Sequence, residues 1–150
     1  MIGGRRNGAY LRGRPLVATV LNAYALERST GAIAWQVRGG FMYNAALLLD
    51  DRLVMVNEFG GAVAVNPPYG AEHWRTDLPQ RVLGGSPTLW RDTVAIGGVN
   101  GLVALLDPAT GTDAGALRVG VDYIHSAPAV AGHVLAVGSQ DGRLRAVAGG

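Results

Sequence analysis

The sequence contains no cysteine and no lysine. Without cysteine there are no disulfides and no thiolate metal sites. The compartment stays open, because a cysteine-free chain folds equally well inside or outside a cell. Long hydrophobic runs are missing too. The longest aliphatic stretches, such as residues 45–49, fall far short of the ~20 residues that span a bilayer as a helix, so no membrane span is expected. Charge of one sign is also lacking. Thirteen basic residues, all arginine, face 11 acidic ones, for a net charge of +2. Four arginines (Arg5, Arg6, Arg12, Arg14) crowd the N-terminus and the rest are scattered among acids. A nucleic-acid face wants a concentrated basic patch with interleaved aromatics, so no nucleic-acid partner is expected.

Glycine and apolar residues are abundant. In 150 residues there are 23 glycines and 7 prolines, and 49% of the chain is hydrophobic. That excludes a disordered chain and leaves room for one cored domain. The glycines follow no three-residue period, which excludes collagen, and they suit short strands joined by tight turns. At the N-terminus, Arg5 and Arg6, the apolar residues 16–21 and the Ala23-Tyr24-Ala25 triplet together resemble a secretory signal with a small-residue cleavage site. The same residues fit the first copy of an internal repeat, and cleavage would cut into it. The repeat reading is preferred.

That repeat decides the fold. Gly60, Gly101 and Gly142 lie 41 residues apart, as do Pro87 and Pro128, and Gly70 and Gly111. Val94-Ala95-Ile96-Gly97 recurs as Leu135-Ala136-Val137-Gly138, and Asn100-Gly101 as Asp141-Gly142. Each unit reads as four short apolar runs. They are separated by a turn (Asp50-Asp51, Arg91-Asp92, Ala131-Gly132), an Asn-Gly or Asp-Gly hairpin expected to be type I′, and a Thr-Gly or Tyr-Gly turn. Four strands in about 40 residues is the period of a propeller blade, and no window of a dozen residues shows helical periodicity. The expected fold is all-β: a β-propeller segment of about three and a half four-stranded blades, a partial or half propeller. The blades fall at residues 8–38, 41–78, 84–120 and 124–150, the last incomplete without an outer strand, in a single segment covering 1–150.

The junction of third and fourth strands carries a signature. Ala25-x-Glu27-x-x-x-Gly31-x-x-x-Trp35 and Ala64-x-Asn66-x-x-x-Gly70-x-x-x-Trp74 resemble the tryptophan-docking motif of quinoprotein-like propellers, the pyrroloquinoline quinone-type repeat family. A third copy is partial. Asp107 and Gly111 hold its centre, but Leu105 replaces the alanine and Gly115 the tryptophan. The Gly-His and Trp-Asp dipeptides of WD40 blades are absent, and the glycine doublets do not keep one phase as in kelch blades. In the family the tryptophan wedges between neighbouring blades, so Ala25, Gly31, Trp35, Ala64, Gly70, Trp74, Asp107 and Gly111 are expected to be structural.

The resemblance leaves three function classes. One is a non-catalytic module that binds a protein or small ligand. Some family members are bacterial envelope scaffolds of this kind, one of them a lipoprotein whose anchoring cysteine this sequence lacks. Another is a fragment of a quinone-dependent dehydrogenase, which would need pyrroloquinoline quinone and calcium. The third is a sensor propeller of a larger protein such as a kinase. No acid here matches a family active-site motif, and the binding reading is preferred, with no catalytic, cofactor or metal residues assigned. The family leans toward a periplasmic or extracellular place. Candidate contacts come from the first strand of each blade, which should line the central channel: Tyr43, Asn44, Ser86, His125 and Ser126. Each has a competing reading as a group satisfying backbone near the axis. Partners are expected to be a protein or peptide. Self-association could complete a ring, because too few blades are present to close one.

Overall fold

The computed structural model describes residues 10–11, 14–19, 21–41 and 44–149. All its regular elements are strands, arranged in four antiparallel sheets. Blade 1 contains β1 (Tyr10–Leu11), β2 (Arg14–Ala18), β3 (Asn22–Leu26) and β4 (Ile33–Arg38). Blade 2 contains β5 (Leu47–Leu48), β6 (Leu53–Val56), β7 (Gly61–Val65) and β8 (Glu72–Asp77). Blade 3 contains β9 (Thr88–Trp90), β10 (Thr93–Gly97), β11 (Leu102–Leu106) and β12 (Asp113–Arg118). Blade 4 has three strands, β13 (Ala129–Ala131), β14 (Val134–Gly138) and β15 (Leu144–Ala148). Each sheet keeps sequence order from its first strand outward, so every connection is a hairpin and no strand crosses over.

Both faces of the middle blades are apolar because both are covered. In blade 2 every residue of β6 and β7 is buried. Leu53, Met55, Val63 and Val65 face blade 1, in one core with Leu16, Ala25, Trp35 and Val37. Val54, Val56, Ala62, Ala64 and Trp74 face blade 3, in a second core with Val94, Ile96 and Leu106. A third core joins Trp90, Ala95, Val103 and Leu105 of blade 3 to Leu135 and Val137 of blade 4. The chain is thus a stack of sheets with a core in each gap, and this explains the continuous aliphatic runs.

The Asn-Gly and Asp-Gly hairpins are not type I′. That turn needs positive φ at both central residues, yet Arg91 is the only non-glycine with positive φ among the described residues. In blade 2 the Asn57 side chain accepts from the Phe59 and Gly61 amides, Gly60 N–H donates to Asn57 O, and Gly60 takes φ 95°. This is a three-residue loop, a turn closed by one left-handed glycine. Gly101 and Gly142 repeat it at φ 73° and 78°. A side-chain cap on the turn removes the need for a second left-handed residue.

Candidate interaction surface

Two sets of residues recur from blade to blade: those that join the blades and those at the inner edge. At each docking turn a register shift ends the third strand, at Ala25/Leu26, Ala64/Val65 and Leu105/Leu106. The chain then turns through a glycine with φ of 73° at Gly31 and 70° at both Gly70 and Gly111. Asp107 holds its turn by accepting from the Ala109 and Thr110 amides and the Thr110 hydroxyl. These bonds keep its carboxyl below the usual carboxylate range.

The tryptophan of one blade lies on the glycine of the next. A Cβ built on Gly70 would stand 2.7 Å from the Trp35 ring, and one on Gly111 2.4 Å from the Trp74 ring. Only a residue without a side chain leaves space for the indole there. Trp35 Nε1–H donates to Pro67 O at 2.8 Å and Trp74 Nε1–H to Pro108 O at 3.0 Å. Beside each indole an arginine makes the same kind of bond, Arg14 to Pro68 O and Arg52 to Pro108 O, both at 2.7 Å. Ala25 pairs across the strands with Trp35, and Ala64 with Trp74, so the small residue sits opposite the large one. In blade 3 the same pair is Leu105 opposite Gly115, which reverses the sizes. There Trp90, from the inner strand, donates to His133 O at 3.0 Å and is buried. Trp90 had no role in the sequence motif. Its signal was weak, a lone indole at a different phase of the repeat.

The inner edge holds the candidate contacts. Tyr43 lies outside the described residues. Asn44, Ser86, His125 and Ser126 do not lie on the first strands; they lie in the linkers that lead into them. Pro87 and Pro128 mark the reason, since proline brings no N–H to a ladder, and β9 and β13 begin one residue later. Asn44 is buried and its amide donates to Val56 O and Val82 O at 3.1 and 3.4 Å. Ser86 Oγ accepts from the Ala45 amide at 2.7 Å. His125 is exposed, with Nδ1 3.1 Å from Leu83 O and its ring edge-on to Tyr123. Ser126 is exposed beside it. The structure therefore gathers these four into linkers that bridge neighbouring blades, two sunk among backbone groups and two on the rim. Each linker also drops one plug into the core, Phe41, Val82 or Ile124, all at most 1% exposed.

The inner strands present aliphatic side chains. Leu48, Leu89 and Val130 recur at 41-residue spacing on β5, β9 and β13, and they are 44%, 42% and 40% exposed. Their neighbours in the cores are covered almost completely. Sequence reasoning sought polar residues at this edge and missed the stripe, although the 41-residue recurrence of an aliphatic was there to find. Acids do not converge on it. Asp51 pairs with Arg52, Asp141 with Arg145 and Ser139, and Asp107 is spent on its turn. No group of three His, Cys, Asp or Glu lies together among the described residues. A calcium-held quinone needs several converging oxygen ligands. Among the described residues no such set of carboxylates lies together to hold that group. No helix among the described residues is long and apolar enough to cross a membrane.

Stacked four-stranded antiparallel blades joined by an indole on a glycine define a quinoprotein-type propeller. Residues 58–149 match the profile of the family described as outer membrane protein assembly factor BamB, and the chain belongs to that family. The factor of this name from Shewanella oneidensis is 27% identical over 127 residues, which cover 84% of this chain and 32% of that protein. The crystal structure of BamB from Moraxella catarrhalis superposes with a TM-score of 0.76 at 27% identity, over 90% of this chain and 42% of that one. A europium-containing methanol dehydrogenase superposes at 0.59 and 21% identity, over 69% of this chain and 22% of its own, a likeness of fold alone. The chain spans about a third of the length of the curated relative.

Proposed function

We propose that this chain is a non-catalytic propeller segment that binds extended protein segments, and that it serves the assembly of outer-membrane proteins from the periplasmic side. The observation that carries the reading is the aliphatic stripe of Leu48, Leu89 and Val130, held at one register on successive inner strands and left about two-fifths exposed. A rigid frame that repeats one partly exposed aliphatic position suits a chain running across the blades. The rim residues His125 and Ser126 offer polar contacts to its backbone. Strands of outer-membrane barrels alternate apolar and polar side chains, so such a segment has one face for the stripe and one for solvent. The name of the family, an assembly factor for outer-membrane proteins, supports the choice of client.

The test is the binding of a fluorescent twelve-residue peptide of alternating apolar and polar residues, followed by anisotropy. The expected result is saturable binding that Leu89→Asp with Val130→Asp weakens at least about tenfold, while a scrambled peptide with clustered apolar residues binds less well. Binding that ignores both substitutions would remove the stripe from the reading.

A further inference from the structure

We propose that Asn100-Gly101, at the tip of the β10–β11 hairpin, is a site of spontaneous deamidation in the folded chain, where a neutral position of the rim becomes an acid. The reaction is intramolecular. The Gly101 amide nitrogen attacks Asn100 Cγ and gives its proton to solvent hydroxide. The Cγ–Nδ2 bond breaks, and Nδ2 leaves as ammonia. Water then opens the cyclic imide at either carbonyl. The products are an aspartate and its isomer, whose backbone runs through the side-chain carboxyl.

The hairpin is open to this attack. Asn100 is exposed, so water and hydroxide reach it. Its Oδ1 accepts from the Leu102 amide at 3.2 Å. That bond folds the side chain over the intervening Gly101 peptide. It also aims a donor at the oxygen on which charge develops during the attack. The Gly101 N–H makes no hydrogen bond among the described residues, and Gly101 has no side chain to crowd the approach.

The other hairpins and asparagines are closed to it. The corresponding glycine N–H groups are bound, Gly60 to Asn57 O and Gly142 to Ser139 O. Asp141-Gly142 is closed a second time, because Arg145 and Ser139 keep the Asp141 carboxyl ionised, and a carboxylate is a poor electrophile. Asn22 and Asn44 precede alanine, Asn57 glutamate and Asn66 proline. There a side chain crowds the nitrogen, or no N–H exists. Asn7-Gly8 repeats the dipeptide but lies outside the described residues.

The new acid arises beside a cation. Arg118 donates to Asn100 O at 3.3 Å and to Gly120 O at 3.2 Å. Asn100 stands where blade 4 carries Asp141, the partner of Arg145. Deamidation thus brings blade 3 an acid next to an arginine, as blade 4 has from its sequence, and lowers the net charge of +2 by one. The change falls on the rim shared with the linkers, since Val99 N–H donates to Arg81 O.

The test uses the unmodified full chain, held in mildly alkaline buffer below its melting temperature and cut at arginine at intervals for mass spectrometry. Peptide 92–118 contains Asn100 and no other amide side chain, and Asn7 is read apart in peptide 7–12. The expected result is a steady amide-to-acid mass gain in peptide 92–118, at least about fivefold faster than at Asn22, Asn44, Asn57 or Asn66. Its rate should not change with denaturant below the unfolding transition. No gain, a gain no faster than at those asparagines, or a rate that climbs with denaturant as unfolding does overturns the proposal.

Discussion

The gap between blades 2 and 3 and the gap between blades 3 and 4 are filled by the same residue type in two different ways. In the first, Trp74 arrives from the outer strand and lies on Gly111, with Arg52 bonded to the same carbonyl beside it. In the second, Trp90 arrives from the inner strand and bonds to His133 O, with Arg91 stacked 5.0 Å over its ring. Arg91 takes φ 54° in doing so, where the next blade has Gly132 at 58°. In the first gap Trp74 is a buried residue of the outer strand β8, beside β6, β7, β10 and β11, which are almost wholly buried. In the second gap the indole sits on the inner strand, the core reaches out to Leu105 of β11, and no residue of β12 is buried. The outer indole buries one position of its outer strand; the inner indole leaves the outer strand without one.

Removing Trp74 should therefore have the largest effect. Trp74→Ala empties a buried site and leaves Gly111 bare, at a cost of about 3–5 kcal/mol, measured by denaturant titration. A loss under about 1 kcal/mol would break the comparison at its strongest point. The glycines of the docking turns come next. Gly111→Ala drives a Cβ into the Trp74 ring and adds left-handed strain, costing roughly 2–4 kcal/mol. Gly31→Ala meets nothing within 4 Å among the described residues and should cost only about 1 kcal/mol, from backbone strain alone. Equal costs at the two positions would mean that the indole on Gly111 makes no difference.

Hydrogen exchange sharpens the contrast between gaps. Amides of β13 to β15 should exchange roughly 30-fold faster than those of β6, β7, β10 and β11, because blade 4 is covered on one side only. Uniform protection would show that the inner indole suffices.

The smallest effect is expected at the turn of blade 4. Arg145 first, then Ser139, hold the Asp141 carboxyl well below its ordinary value of 3.8. A lowered folded pKa stabilises the fold fully above the ordinary value, and that stabilisation is lost as pH falls below it. Asp141→Asn should flatten the acid limb of blade 4 stability below about pH 4, read from exchange of the β14 and β15 amides. An unchanged acid limb would remove the carboxylate from that turn's stability.

Much of this was legible before any coordinates. Repeats 41 residues apart, glycine at each turn and aliphatic runs between them require a stack of short antiparallel strands, because no other element keeps that period with so many breaks. The Ala, Gly and Trp spacing marked two docking motifs and showed that the third was altered. Sequence could not show that Leu105 and Gly115 face one another, since that depends on strand register. Nor could it show that Asn44, Ser86, His125 and Ser126 lie in linkers, because where a strand begins is settled by which backbone groups find partners. Trp90 was silent because its partner, His133 O, lies 43 residues away on the next blade. The same holds for Gly31: its turn is written in the local sequence, but whether an indole rests on it depends on what stands next to the blade. Local composition and period determined the blades; contacts between blades, set by side chains far apart in sequence, decided which faces are closed and which stay open.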